Sequence, residues 1–289
     1  MHGPLNRRSR PVHRAIVALA ALAFLPPGAA LAQTSGLGAA IELVDPKVFR
    51  VCADPNSMPY SNEAEEGYEN RIAELLAGKL GKTVSYTYFP QVTGFVRLTL
   101  AAYKCDVIIS YPQGDELVQN TNAYYHTAYA LVFKEGSDLE GVETLSDPRL
   151  QDKRLGIVAG TPPATIMARN GLMKNARPYH LMVDTRLGTS TEQMVRDIEA
   201  GEIDAGLLWG PIAGYYAKQS KPPLRTVLLL KEEKSPRMVF AITMGVRASD
   251  QEWKRALNRL IEENKGEIDK ILLEYGVPLL DQNNNRIFE

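Results

Sequence analysis

From Ile72 onward, apolar residues recur at helical spacing as Ile72, Leu75, Leu76 and Leu80, while Glu69, Arg71, Glu74 and Lys79 take the other face. That pattern predicts an amphipathic helix ending near Gly81. A short apolar run, Val48, Phe49, Val51 and Cys52, precedes it and stops at Pro55. Proline cannot donate to a ladder and restricts the residue before it, so this strand ends near Asp54. Thr83 to Phe89 then alternates in the β manner. Strand, helix and strand form a βαβ unit with parallel strands and a right-handed crossover. Ligands of such sheets bind at the carboxyl ends of the strands, which makes Asp54 to Asn62 the first loop to inspect for function.

The pattern continues in the same style. Phe95 to Tyr103 predicts a second helix, and Cys105 to Ser110 a strand that runs into the loop Tyr111 to Glu116. Tyr124 to Phe133 is long, aromatic and β-prone, and reads as a strand leaving the first lobe. After a polar stretch, Arg154 to Gly160 begins a second lobe, followed by a helix from Ala164 to Arg169, a strand at Tyr179 to Val183 and a helix at Ser190 to Ala200. In both lobes a helix ends, an aspartate follows, and an apolar strand runs to a proline-containing loop: Lys104 to Pro112 in one and Glu202 to Pro211 in the other. Val227 to Leu230 and Met238 to Val246 are further strands, the second returning to the first lobe, and Trp253 to Leu273 is a closing helical region. The expected organisation is a leader over 1–32, lobe one over 33–134 plus 240–289, and lobe two over 135–239.

Charge and composition narrow the class. Arg7, Arg8, Arg10 and Arg14 precede an apolar run from Ala15 to Leu25, and Ala30-Leu31-Ala32 supplies small residues for cleavage. This is the pattern of a secretory signal peptide and is too short to span a bilayer. Losing four arginines turns a formal charge of −1 into a mildly acidic product. It has no basic run to track a phosphate backbone, so nucleic acid is not an expected partner, and no later stretch reaches membrane length. Cys52 and Cys105 are the only cysteines. Export places them where disulfides persist, and neighbouring strands would bring them within bridging distance; two buried thiols are the alternative. Asp281-Gln282-Asn283-Asn284-Asn285 has the opening of a calcium loop but Arg286 where glycine belongs, and His126 and His180 lack companions at ligand spacing. No metal, cofactor or catalytic residue is expected.

The Arg-Val-Cys-Ala-Asp strand, Gly67-Tyr68-Glu69, Cys-Asp-Val-Ile-Ile, Tyr124-Tyr125 and Gly160-Thr161 together resemble the family 3 extracellular solute-binding proteins, the periplasmic receptors of ABC importers. That resemblance implies a two-lobed α/β fold, the type II periplasmic binding protein fold, each lobe a mostly parallel sheet flanked by helices and joined by a two-strand hinge. More closely, Cys-Ala-Asp-Pro-Asn-Ser-Met-Pro-Tyr-Ser-Asn followed by Gly-Tyr-Glu-Asn-Arg-Ile-Ala-Glu-Leu-Leu resembles the J proteins, of the MxaJ and XoxJ type, encoded beside quinoprotein methanol dehydrogenases. This implies a periplasmic accessory protein for a pyrroloquinoline quinone (PQQ) alcohol or methanol dehydrogenase, aiding its assembly or activation by protein contact.

Family 3 amino-acid receptors hold the ligand carboxylate with an arginine after the third strand and the ammonium with an aspartate in lobe two. Here Gln113-Gly114-Asp115-Glu116 is acidic where the cation belongs, and Trp209-Gly210-Pro211 has no charge where the aspartate belongs. Ser57 stands near the usual stacking aromatic, leaving Gly160 and Thr161 as anion donors. A cleft without the arginine selects α-amino acids poorly, and the dehydratases of this fold need the same arginine, so an enzyme is not expected. The alternative to an accessory protein is an importer receptor for a small solute that is not an amino acid. The candidates for cleft or partner contact are Asp54, Asn56, Ser57, Tyr60, Glu63, Asp115, Glu116, Tyr124, Tyr125, Gly160, Thr161 and Trp209, with Glu63, Glu65 and Glu66 forming an acidic rim.

Overall fold

Apolar runs bounded by turn residues become strands here, and periodic ones become helices. The computed structural model describes residues 42–232 and 236–287, so the expected leader lies outside the described residues. The chain begins with β1 (Val48–Ala53), a small hairpin of β2 (Asn56–Ser57) and β3 (Ser61–Asn62), helix α1 (Tyr68–Leu80) and β4 (Thr83–Tyr88). It continues through α2 (Phe95–Leu98), β5 (Val107–Pro112), β6 (Gln119–Asn120) and the long β7 (Tyr125–Lys134). Next come β8 (Leu155–Val158), α3 (Pro162–Arg169), β9 (Ala176–Tyr179), α4 (Ser190–Ala200), β10 (Ala205–Trp209), α5 (Gly210–Gln219) and β11 (Leu224–Leu228). The chain returns through β12 (Val239–Val246) to α6 (Gln251–Glu263) and α7 (Lys265–Glu274).

A single sheet path runs β4-β1-β5-β12-β7-β10-β8-β9, with β6 on β12 and β11 on β7. β1 lies parallel to β4 and β5, and β8 lies parallel to β9 and β10. These two parallel groups meet through the antiparallel pair β12 and β7, whose contact runs from Val239 opposite Ala128 to Ile242 opposite Tyr125. Beyond that contact β12 pairs with β5, while β7 pairs with β10 and β11, so each of the two strands serves both halves.

Both faces of the sheet are covered, as a parallel sheet requires. In β1, Phe49, Val51 and Ala53 point into a cluster with Ile72 and Leu76 of α1 and Trp253, Leu257 and Leu272 of the last two helices. Cys52, on the opposite face, joins Cys105, Phe95, Leu100, Ile108 and Val118. The strand alternation thus sends its two sets of side chains into two cores. Cys52 and Cys105 form a disulfide with Cα atoms 5.4 Å apart, inside the range that a bridge requires. In the second half, Leu155, Ile157 and Ile166 fill one face, and Val132, Met194, Ile198 and Leu208 the other.

The repeated aspartate noted in the sequence has a matching arginine in each half. Asp106 accepts from Nε and Nη2 of Arg50 in β1, both at 2.8 Å, and Asp204 accepts from Nη2 of Arg154 at 2.6 Å. Each pair ties the entry of a later strand to the first strand of its half. The bidentate geometry gives direction as well as attraction.

Several elements differ from the sequence reading. The second helix lasts only from Phe95 to Leu98, because the Thr99 backbone leaves the helical region (φ −118°, ψ −82°) while its hydroxyl bonds back to the Phe95 carbonyl. β9 covers Ala176–Tyr179 instead of Tyr179 to Val183; Pro178 is tolerated because β9 is an edge strand. Pro211 does not end a strand in a loop but stands in the first turn of α5, where proline lacks no required donor. The closing helical region breaks at Asn264 into α6 and α7.

α5 approaches the turn after α7 very closely. A methyl group at Gly214 would overlap the carbonyl oxygen of Gly276. Gly214→Ala should therefore destabilise the fold by about 2 kcal/mol through forced displacement of backbone, read as a lowered denaturation midpoint. A midpoint equal to wild type would mean that the two segments separate without cost.

Candidate functional site

The loop after β1 is built around Asp54. Its Oδ1 accepts from the Asn56 amide at 2.9 Å and its Oδ2 from the Gln91 amide at 2.7 Å. The Asp54 amide donates to Ser61 Oγ at 3.0 Å, and that hydroxyl donates to the Asp54 carbonyl at 2.9 Å. These bonds hold the β2–β3 hairpin over the end of β1. Asn56 Nδ2 reaches across to donate to the Thr185 carbonyl in the second half at 2.8 Å.

Asp54, Ser57, Tyr60, Gln91, Ser110 and Tyr125 line one side of a cleft of about 320 Å³. The other side is formed by Thr161, Leu181, Met182, Thr185, Thr189 and Trp209. Tyr129 also lines the cleft and packs edge-on against Trp209 at 4.9 Å, with Phe240 against both. Among the described residues no arginine or lysine lines this space.

Behind the cleft floor lies a nest of tyrosines. The hydroxyls of Tyr68 and Tyr125 are 3.0 Å apart, Ser110 Oγ and the Tyr124 hydroxyl are 3.2 Å apart, and the Tyr124 hydroxyl donates to the Ile109 carbonyl at 3.0 Å. Burial pushes the phenols of Tyr60, Tyr68 and Tyr124 well above their ordinary value, so they stay neutral. Glu69 sits among them, 1% exposed. Burial raises its carboxyl to about 8; neighbouring Ser110 opposes the rise and the charge of Asp54 adds to it. Neither carboxyl oxygen makes a well-formed hydrogen bond.

The turn at Gly160-Thr161 is poor in donors. The Thr161 amide and hydroxyl both donate to the Val158 carbonyl, at 3.3 and 2.7 Å, and the next two residues are Pro162 and Pro163, which have no N–H. The start of α4 also faces the cleft, through Thr189, Ser190 and Thr191. Its positive end is worth about 0.3–1 kcal/mol to an anion. Glu192 in its first turn, whose amide donates to Thr189 Oγ1, works against even that.

Comparison with known proteins agrees with this architecture. The family model described as bacterial extracellular solute-binding protein matches residues 70–276. This chain belongs to that family. The crystal structure of the periplasmic binding protein XoxJ from Methylobacterium extorquens AM1 shares 38% identity, with a TM-score of 0.70, covering 81% of this chain and all of XoxJ. The structure of MxaJ from Methlophaga aminisulfidivorans MPT shares 26%, with a TM-score of 0.69, covering 80% of this chain and all of MxaJ. Protein MoxJ from Methylorubrum extorquens is 29% identical over 284 residues, 92% of this chain and 94% of MoxJ. The fold is that of the type II periplasmic binding proteins, and the chain is a MoxJ-, XoxJ- and MxaJ-like member.

In this solute-binding protein the candidate residues separate into groups. Asp54, Ser57, Tyr60, Tyr125, Thr161 and Trp209 converge on the cleft. Asn56 bridges its two sides. Asp115 and Glu116 do not occupy the place of a carboxylate clamp: β5 runs on to Pro112, which carries both residues out to an exposed turn beyond the lining. Gly160 is outside the lining as well, and the amide and hydroxyl of Thr161 are already bonded to the Val158 carbonyl. Tyr124 is buried and offers no surface to a partner. Glu63, Glu65 and Glu66 are exposed. The largest omission of the sequence reading is Glu69, assigned to the polar face by residue type. Its spacing, three residues before Ile72 and seven before Leu76, places it on the buried face.

Proposed function

We propose that this protein acts in the periplasm as an accessory protein of a PQQ-dependent alcohol or methanol dehydrogenase. It aids assembly or activation of that enzyme by contact through the rim of its cleft and performs no catalysis itself. In this reading the halves act as lobes, 33–134 with 240–289 against 135–239, hinged where β7 and β12 pass between them. The observation that carries the proposal is a receptor fold whose cleft, among the described residues, has no lining arginine or lysine, in a chain similar over most of its length to MoxJ and XoxJ. A receptor for amino acids needs a cation for the carboxylate.

The rim supports the same reading. Leu117 is 61% exposed, Leu181 51%, Met182 57% and Leu187 89%. Leu117 from the first half and Met182 from the second line one groove, which shares Gln91, Ser110 and Pro112 with the cleft. Exposed apolar groups beside acidic ones suit a protein interface, in which buried anchors set lifetime and rim charges set the rate of encounter.

Deleting the gene should leave a PQQ-dependent dehydrogenase of the same cell with reduced activity and reduced quinone content, and the two proteins should co-purify. Leu181→Asp with Leu187→Asp should weaken that association by about tenfold or more. Glu63, Glu65 and Glu66 changed together to glutamine should slow association several-fold, and only at low salt. A dehydrogenase that is fully loaded and active without this protein would refute the proposal and favour an importer receptor.

A further inference from the structure

The interior of the cleft has a chemistry of its own, independent of any partner at the rim. Among the described residues a ligand carboxylate or phosphate would meet no lining arginine or lysine and, of basic side chains, only His180, and at the Gly160-Thr161 turn it would meet a bonded Thr161 amide and two prolines. A positive group would meet the opposite. Asp54 lines the cleft with a carboxylate that accepts from two backbone amides, those of Asn56 and Gln91, and among the described residues no cation is paired to it. Tyr60, Tyr125, Tyr129 and Trp209 surround the same space. Aromatic faces attract cations through the ring quadrupole, most of all when water is excluded.

We propose that the cleft binds an organic cation, an alkylammonium or quaternary ammonium group, held against Tyr60, Tyr129 and Trp209 with Asp54 as its counter-charge. A buried carboxyl beside the cleft is the nearest further acidic group. Glu69 is a buried carboxyl without a well-formed partner, and its polar neighbour Ser110 lines the cleft. Glu69 keeps its proton below about pH 8 and so adds no charge of its own, and a cation in the cleft would lower the cost of its ionising. Besides the phenols and the Gln91 amide, His180 lines the cleft as its one basic side chain among the described residues.

The site accepts one chemistry from two sources: a free amine, or the side-chain ammonium of a lysine presented by another protein. The proposal does not depend on that other protein being a dehydrogenase, so failure of one reading leaves the other standing.

The test is calorimetric titration of the exported protein with choline, n-butylammonium, their uncharged counterparts 3,3-dimethylbutanol and n-pentanol, and butanoate. Tryptophan emission provides a parallel signal, because of the two tryptophans only Trp209 lines the cleft. The cations should bind about thirtyfold more tightly than their uncharged counterparts, and butanoate should not bind. Asp54→Asn should remove about tenfold or more of the preference for charge. Because Asp54 also accepts two amides, Tyr60→Leu provides a second variant with the same expected direction. A capped Gly-Gly-Lys-Gly-Gly peptide compared with its norleucine twin identifies the source: binding of the lysine peptide alone admits a side chain, and rejection of both leaves the free amine. Equal binding of charged and uncharged probes, tighter binding of butanoate, or no binding of either cation would overturn the proposal.

Discussion

Glu69→Gln should make this protein more stable than the wild type at pH 8, with the advantage shrinking steadily as the pH falls towards 4.5. The Glu69 carboxyl is held at about 8 against an ordinary value of 4.5, chiefly by burial. Below about 4.5 the group carries its proton in both the folded and unfolded chains, and its contribution to stability is fully present. Between 4.5 and about 8 the unfolded chain releases the proton while the folded chain keeps it, so stability falls by roughly 1.4 kcal/mol per pH unit. Above about 8 that contribution is gone, a difference of a few kcal/mol across the window. Glutamine has nearly the same shape and no proton to exchange, which removes this part of the slope. The surrounding tyrosines titrate above the window and do not mask the effect. Urea denaturation of both proteins from pH 4.5 to 8.5 measures it directly. Parallel pH profiles would show that Glu69 titrates as an ordinary carboxyl, and the account of the cleft floor would then fail.

Loss of the Cys52–Cys105 bridge should cost about 4 kcal/mol. The cysteines are 53 residues apart, and closing a loop of that length removes this much chain entropy from the unfolded state. The bridge also sits in the cluster of Phe95, Leu100, Ile108 and Val118, on the face of β1 away from α1. A double Cys→Ala protein should melt roughly 10 °C lower. Reduction of the unmutated protein should reproduce most of that loss without the small cavities left by alanine, so the two measurements separate entropy from packing. A cost below about 1 kcal/mol for both would mean that the unfolded chain is already compact around these residues.

The strands and helices that the sequence predicted correctly are those specified by neighbouring residues. α4 occupies Ser190–Ala200 because Thr189 caps its start and Gly201, in the left-handed region, ends it. α1 ends at Gly81 for the same reason. The errors arose where one local signal fits two structures. Pro211 permits either a loop or a first helical turn, and only the packing of α5 against β7 and β11 selects the helix. β9 is an edge strand of mixed polarity, so its alternation was weak and the reading shifted towards Val183.

Within the site, Asp54, Tyr60 and Trp209 were legible because they stand at the carboxyl ends of strands or in the loop that follows, where open α/β sheets bind ligands. Tyr129, Ser110 and Gln91 were not, since nothing local distinguishes a strand or loop residue facing a cleft from one facing the core. Asp115 and Glu116 looked like cleft residues by order in the chain, yet two further residues of β5 carry them beyond the cleft.

By itself, then, the sequence determined the order of strands and helices, the twofold use of one half-motif with its aspartates, and the receptor-like class. These follow from hydrophobic period, caps and turns, which act over a few residues. Tertiary structure alone decided which charges meet. It paired Arg50 with Asp106 and left Glu69 in a nest of tyrosines, and it brought Asp54 and the aromatic residues to one cavity that no arginine or lysine among the described residues lines. Burial and pairing depend on distances between residues far apart in the chain, and those distances exist only once the two halves of the sheet have been joined through β7 and β12.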